Sequence, residues 1–186
     1  NTPDLEGGNF ENMTLTSQVN IVLDLLDQFQ CKKVCLIGSS MGGYLATLVA
    51  QRREEIKATY LMAPGFNFLE RWMRSLKLDC EDEACWDPKI QIFHYRYNKI
   101  KYICTDIFKD AKNWNTLALN REVPSRIVHG IHDEVVPIDE SKKFISRRPW
   151  CSLKEFDSDH GLLSHLEWVV DDCMVFFKRL GVLSTK

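Results

Sequence analysis

The sequence predicts an α/β fold in which a mostly parallel sheet carries helices on both faces. Three observations lead there. Short apolar runs rich in strand-forming residues alternate with amphipathic stretches along most of the chain. The run Val34-Cys35-Leu36-Ile37 passes directly into the helical run Tyr44–Ala50 through a glycine-rich turn, Gly38-Ser39-Ser40-Met41-Gly42-Gly43. Two later strand runs end in polar loops, His129–Pro137 and Asp157–Gly161. Functional groups gather at the carboxyl ends of strands in parallel sheets of this kind.

The elements follow in order. Residues 1–12 are polar, with Pro3 and Gly7-Gly8, and read as loop. Thr14 or Thr16 caps a helix running to about Gln30, whose apolar face is Val19, Val22, Leu23, Leu26 and Phe29. The strand Val34–Ile37 reads as buried because it is a continuous apolar run. Its helix closes at the charged end Arg52-Arg53-Glu54-Glu55, and Lys57–Ala63 forms the next strand, stopped by Pro64-Gly65. The stretch 66–123 is irregular: short helices at Phe68–Leu76 and Thr105–Asn113, an acidic loop at 79–88, and alternation at Ile90–Tyr97 that suits a hairpin. Regular order returns with a strand at Ser125–His129, a helix at Asp139–Arg147, a strand at Ser152–Phe156 and a closing amphipathic helix at Leu162–Leu180. There is no internal repeat. The 186 residues, 45% of them hydrophobic, suit one domain with a sizeable core, interrupted by the 66–123 insert.

The glycine-rich turn carries the chemistry. Gly38-x-Ser40-x-Gly42 between a strand and a helix is the pattern that lifts a serine clear of a sheet on a strained turn. Gly38 and Gly42 are expected to be small because their Cα atoms approach each other. The Met41 amide opens the helix, where unpaired N–H groups and the dipole favour an oxyanion. The alternatives, a glycine-rich turn without chemistry or a phosphate cradle, find no G-x-x-x-x-G-K-[ST] or G-x-G-x-x-G here. A serine nucleophile needs a base and an acid. His160 follows one strand, and Asp133 and Glu134 follow another; both carboxylates qualify by position. The order serine, acid, histidine matches one of the three common triad orders. Among the other histidines, His129 reads as structural and His132 as a residue that tunes or rims the site. His94 and His165 read as surface or packing residues. Phe66 and Trp72 are expected either to line an acyl pocket or to pack the insert on the core.

Together the Gly38–Gly43 turn, His129-Gly-x-x-Asp133-x-x-Val136-Pro137 and Asp157-Ser-Asp159-His160 resemble the α/β-hydrolases, and more narrowly the small, YqiA-like bacterial esterases. The resemblance runs over nearly the whole chain. It implies the α/β-hydrolase fold, with Ser40 as nucleophile, Asp133 as acid and His160 as base. Asp133 is preferred to Glu134 because the pattern sets the acid four residues before the proline. It further implies that 66–123 is a lid-like insert, and that a small-molecule ester or thioester is hydrolysed without a cofactor or metal.

Composition narrows the partners. A formal net charge of −2, from 24 basic and 26 acidic residues without a long basic run, gives nucleic acid or an anionic membrane no electrostatic support. No stretch approaches the ~18 consecutive apolar residues of a membrane span. Seven cysteines, an odd number with several in apolar runs, read as reduced thiols of a cytoplasmic protein. Cys80 and Cys85 lack a second ligand pair, so zinc is not expected. A non-catalytic binding or regulatory protein of the same fold is the alternative function. It is favoured by the absence, ahead of the elbow strand, of further strands and of the His-Gly loop that supplies a second oxyanion N–H in the α/β-hydrolases. An N-terminal segment is therefore expected to precede these residues, with Pro3-Asp4-Leu5 the end of one strand. The unpaired edge of Val34–Ile37 is expected to promote self-association.

Overall fold

A computed structural model describes residues 10–78, 83–94, 98–115 and 119–182. The strand end expected at Pro3-Asp4-Leu5, Cys80 and Tyr95 lie outside them. The chain divides into two compact units, one of residues 1–27 and 67–118, the other of residues 28–66 and 119–186.

The second unit is a four-stranded parallel sheet with strand order β1-β2-β5-β6. Its strands are β1 (Val34–Ser39), β2 (Ile56–Met62), β5 (Ser125–Gly130) and β6 (Cys151–Phe156). Its helices are α2 (Met41–Ala50), α5 (Ile138–Ile145) and α6 (Leu166–Arg179). Alternation along each strand sorts side chains onto two faces. Ala58 and Tyr60 of β2 and Val128 of β5 pack with Phe156, Leu162, and Val169, Cys173 and Phe177 of α6. Leu61 and Ile127 pack the other way, against Ala46 of α2 and Phe144 of α5. Burial on both faces is why consecutive residues are apolar at Tyr60 and Leu61 of β2 and at Ile127 and Val128 of β5.

β1 differs from expectation. Among the described residues it pairs only with β2, so it is half-buried rather than buried, and Ile37 is 59% exposed. The closing helix starts at Leu166 rather than Leu162, because Leu162 takes a left-handed conformation (φ 53°, ψ 20°) and plugs the core. A single 3₁₀ turn, Leu163–His165, bridges the two.

The first unit holds α3 (Phe68–Leu76), α4 (Asp106–Asn115), the antiparallel hairpin β3 (Lys89–His94) and β4 (Lys99–Cys104), and most of α1 (Leu15–Phe29). Thr14 caps α1: its Oγ1 accepts the Ser17 N–H at 3.0 Å, while the Ser17 Oγ lies 3.0 Å from the Thr14 N–H. α1 packs with the insert's helix α4. The Asp110 carboxylate accepts from the Thr16 N–H at 2.8 Å and from Thr16 Oγ1 at 2.5 Å, and Trp114 Nε1 donates to Thr16 Oγ1 at 2.9 Å. Phe29, expected on the apolar face, is 72% exposed at the helix end. No helix among the described residues is long and apolar enough to cross a membrane.

A polar tie holds α6 to the sheet. Arg126 on β5 donates to Asp172 on α6 through Nε (2.8 Å) and Nη2 (3.0 Å), and the Tyr60 hydroxyl donates to the same carboxylate at 3.0 Å. Burial, reinforced by that carboxylate, pushes the Tyr60 hydroxyl well above its ordinary range, so it stays a donor. Asp172→Ala leaves a guanidinium and a buried hydroxyl without their acceptor. We expect a loss of about 2 kcal/mol, below the fully buried case because the pair is partly wet. Urea unfolding should register it as a lowered midpoint at unchanged slope.

Candidate active site

Ser40 sits between β1 and α2 with φ 53° and ψ −122°. A non-glycine residue there is strained by about 1–3 kcal/mol and persists only where its surroundings over-determine it. The turn after β2 does so. The Ser40 N–H donates to the Met62 carbonyl at 2.8 Å, and the Ser40 carbonyl accepts from Gly43 (3.0 Å), Tyr44 (3.3 Å) and Gly65 (3.0 Å). Ala63 in that turn also has positive φ, at 42°, and its N–H reaches the Val128 carbonyl of β5 at 2.9 Å. Met41 is the first residue of α2, among the N–H groups that a helix leaves without an internal acceptor.

The glycines divide their work differently from the sequence expectation. A Cβ on Gly38 would lie 2.3 Å from the Gly42 carbonyl oxygen, so Gly38 must be small. A Cβ on Gly42 would meet nothing within 4 Å; the crowding involves only its backbone. Gly43 is the second tight position, since a Cβ there would lie 2.8 Å from the Pro64 side chain.

Asp133 and His160 come together. His160 Nδ1 donates to Asp133 Oδ2 at 2.6 Å. Asp133 Oδ1 accepts the Val135 and Val136 N–H groups at 2.9 and 2.7 Å. Burial alone would raise the pKa of this carboxyl. Hydrogen bonds from His129, His160 and the Val136 N–H, with the charge of His160, outweigh it and hold the group well below the usual carboxylate range. Asp133 is therefore an anion at neutral pH. Glu134, the other candidate, is exposed.

The two loops are tied through their backbones. Ile131 N–H donates to the Phe156 carbonyl at 2.8 Å and His132 N–H to the Ser158 carbonyl at 3.1 Å. Gly130 permits this approach, since a Cβ there would lie 2.3 Å from the Ser158 oxygen and 2.4 Å from the Asp159 oxygen. His132 is exposed and pairs with Asp157 at 2.8 Å on the rim.

His129 is fully buried, and its Nε2 lies 3.1 Å from Asp133 Oδ2. Read from sequence as structural rather than catalytic, it touches the proposed acid. The signal was the spacing His129-Gly130-x-x-Asp133, which sets the histidine at the strand end and the acid four residues on. Phe66 stacks on Phe144 with ring centroids 3.8 Å apart, and Trp72, in the other unit, packs with Phe68 and Phe108. Cys35 and Cys173 are pushed up to about 11, first by burial, and stay protonated thiols with little nucleophilic character. Among the described residues no cluster of three or more His, Cys, Asp or Glu could hold a metal ion.

With this geometry in hand, comparison with known proteins places the chain in a family. Residues 1–176 match the model described as Uncharacterised protein family (UPF0227), and the chain belongs to that family. It is 43% identical over 165 residues to a Mycoplasma pneumoniae protein named "Putative esterase/lipase 2", covering 76% of this chain and 61% of that protein's length. Among solved structures it resembles Est1E from Butyrivibrio proteoclasticus with ferulic acid bound, at TM-score 0.81 and 23% identity over 95% of this chain and 72% of that one. It also resembles mouse alpha/beta hydrolase domain-containing protein 10, at TM-score 0.76 and 24% identity over 93% and 73% of the respective chains. The fold is that of the α/β-hydrolases, a parallel sheet with helices on both faces.

The glycine contacts predict a ranking that thermal melts can read. Gly38→Ala should destabilise by more than 2 kcal/mol, because its clash is with backbone. Gly42→Ala should be neutral or gain up to about 1 kcal/mol from helix propensity. Gly130→Ala should displace the His160 loop. Loss of stability in all three equally would show that the turn is not shaped as described.

Proposed function

We propose that the protein is a serine hydrolase, a carboxylesterase or thioesterase acting on small or medium acyl groups, with Ser40 as nucleophile, His160 as base and Asp133 as acid. The observation that carries the reading is the 2.6 Å bond from His160 Nδ1 to the buried Asp133 carboxylate, at the same sheet edge as the strained Ser40 turn. The name of the Mycoplasma pneumoniae relative supports it.

The chemistry follows from the groups present. Asp133 accepts a hydrogen bond from Nδ1–H, which leaves the Nε2 lone pair of His160 as the base. As Ser40 Oγ attacks the ester carbonyl, its proton passes to Nε2. The negative charge developing on the carbonyl oxygen is met by the Met41 N–H at the α2 terminus. Collapse expels the alcohol or thiol, protonated by His160, and leaves an acyl-serine. Water activated by the same imidazole then releases the acid and restores Ser40. Asp133 stays ionised throughout and stabilises the imidazolium. No step requires a metal or cofactor. Phe66 follows Gly65, whose N–H holds the Ser40 carbonyl, and we assign this half-buried ring to the acyl group. We place the protein in the cytoplasm, acting on uncharged small-molecule esters rather than nucleic acid.

A fluorophosphonate probe tests the core of this reading. Covalent labelling should occur on the wild-type chain and vanish in Ser40→Ala. Asp133→Asn should keep the fold and lower kcat by about 10⁴; Glu134→Gln should leave kcat nearly unchanged. An unlabelled, folded wild-type protein would instead favour a non-catalytic binding protein of the same fold.

A further inference from the structure

Asp133 has a second imidazole partner that the triad does not require. Its Oδ1 is anchored by the Val135 and Val136 N–H groups, which leaves the carboxylate free to pivot about that atom. Oδ2 is held by two rings, His160 Nδ1 at 2.6 Å and His129 Nε2 at 3.1 Å. His160 is the moving part of the proposed chemistry, since it shuttles the proton, and its side chain is 24% exposed. His129 is the fixed part: its side chain and that of Asp133 are both 0% exposed.

The surroundings set the protonation of His129. Nε2 lies 2.9 Å from the Val136 carbonyl, which can only accept, so Nε2 carries the hydrogen and shares it between that carbonyl and Asp133 Oδ2. Nδ1 lies 2.8 Å from Ser141 Oγ on α5, and Ser141 is fully buried. With Nε2 protonated, a neutral ring takes the Ser141 hydroxyl hydrogen at Nδ1. Every polar atom of the ring is then satisfied without a charge.

We propose that His129 is a positioning residue for the proposed hydrolysis: held neutral with its proton on Nε2 by Ser141 and Val136, it fixes Asp133 Oδ2 where His160 must find it. This rests on the hydrolase reading above. With Oδ1 as pivot and His160 exchanging protons, His129 is, among the described residues, the partner that gives Oδ2 an unmoving reference. Sharing the lone pairs of Oδ2 between two donors also lengthens the hydrogen-bond reach demanded of His160 less than a swinging carboxylate would.

The test combines kinetics with nitrogen-15 and proton NMR on the whole chain. In His129→Leu, kcat for a short ester should fall about tenfold while KM stays within about twofold, the signature of lost positioning rather than lost binding. His129→Gln, whose amide N–H can reach the place of Nε2, should recover most of that loss. A His129→Leu enzyme with wild-type kcat, or a Gln variant no better than Leu, overturns the proposal. Two readouts do not depend on activity. The wild-type His129 ring should show a protonated Nε2 and an unprotonated Nδ1 at neutral pH, with the Nδ1 resonance alone moving in Ser141→Ala; the reversed tautomer overturns the proposal even if His129→Leu fails to fold. The His160 Nδ1–H proton should move downfield in His129→Leu, because Oδ2 has lost a competing donor, and an unmoved resonance overturns it. Wild-type protein without esterase activity or probe labelling defeats the hydrolase reading and, with it, the catalytic role, while the tautomer result still reports whether His129 is held as described.

Discussion

A buried carboxylate stays an anion only where donors replace the water it has lost, and in this protein that requirement shapes the carboxyl edge of the sheet. Asp133 takes four donors: two backbone N–H groups one turn ahead and two imidazoles. Each makes a demand on the chain. The N–H groups require the tight turn before Pro137. His129 must be a strand residue whose ring lies within reach of Asp133 and the Val136 carbonyl. His160 must arrive on a loop pressed so close to β5 that Gly130 has no room for a side chain. Leu162, in a left-handed conformation and buried in the α6 face, pins the far end of that loop.

The Ser40 turn is the complementary case, a backbone held in a costly conformation rather than a side chain held in a costly charge state. Its strain is balanced locally. Met62 accepts from Ser40 and Gly65 donates to it, so the turn after β2 grips the elbow from the side. The same turn reaches β5 through Ala63 and Val128. The strands that carry serine and acid are thus coupled by backbone hydrogen bonds running through β2, which lies between them in the sheet. Hydrogen bonds of this kind are insensitive to side-chain substitution, which suits a geometry that has to be kept to within a fraction of an ångström.

Much of this was legible in the sequence. Strand-like runs alternating with amphipathic runs disclosed the strands and α-helices of the sheet unit, but not the 3₁₀ turn at Leu163–His165. The elbow and the two loops were legible because each combines a strand end with residue types that have few other uses together. What was not legible depended on contacts distant in sequence. Phe29 fits the apolar face of α1 by period, yet the helix outruns its partner surface and the ring is exposed. Gly42 fits the motif, but its crowding falls on its carbonyl and not on the side-chain position. The bond of α1 to the insert turns on Thr16 and Asp110, two unremarkable polar residues far apart in the chain. His129 looked structural because a buried strand-end histidine usually is; only the fold shows which atom its ring meets.

The division of the chain into two units bears on how the site can vary. Ser40, Met41, Asp133, His129 and His160 all belong to the unit of residues 28–66 and 119–186, and each is placed by the end of a parallel strand or by the turn beside it. The register among β1, β2, β5 and β6 sets the relative positions of those strand ends. Among the described residues the other unit supplies no strand to that sheet. Loops and inserts on a rigid scaffold are where binding specificity changes most readily, because they tolerate variation that the scaffold does not. In this chain the constraint that keeps the charge of Asp133 buried and the one that keeps Ser40 strained both lie on the scaffold side of that boundary.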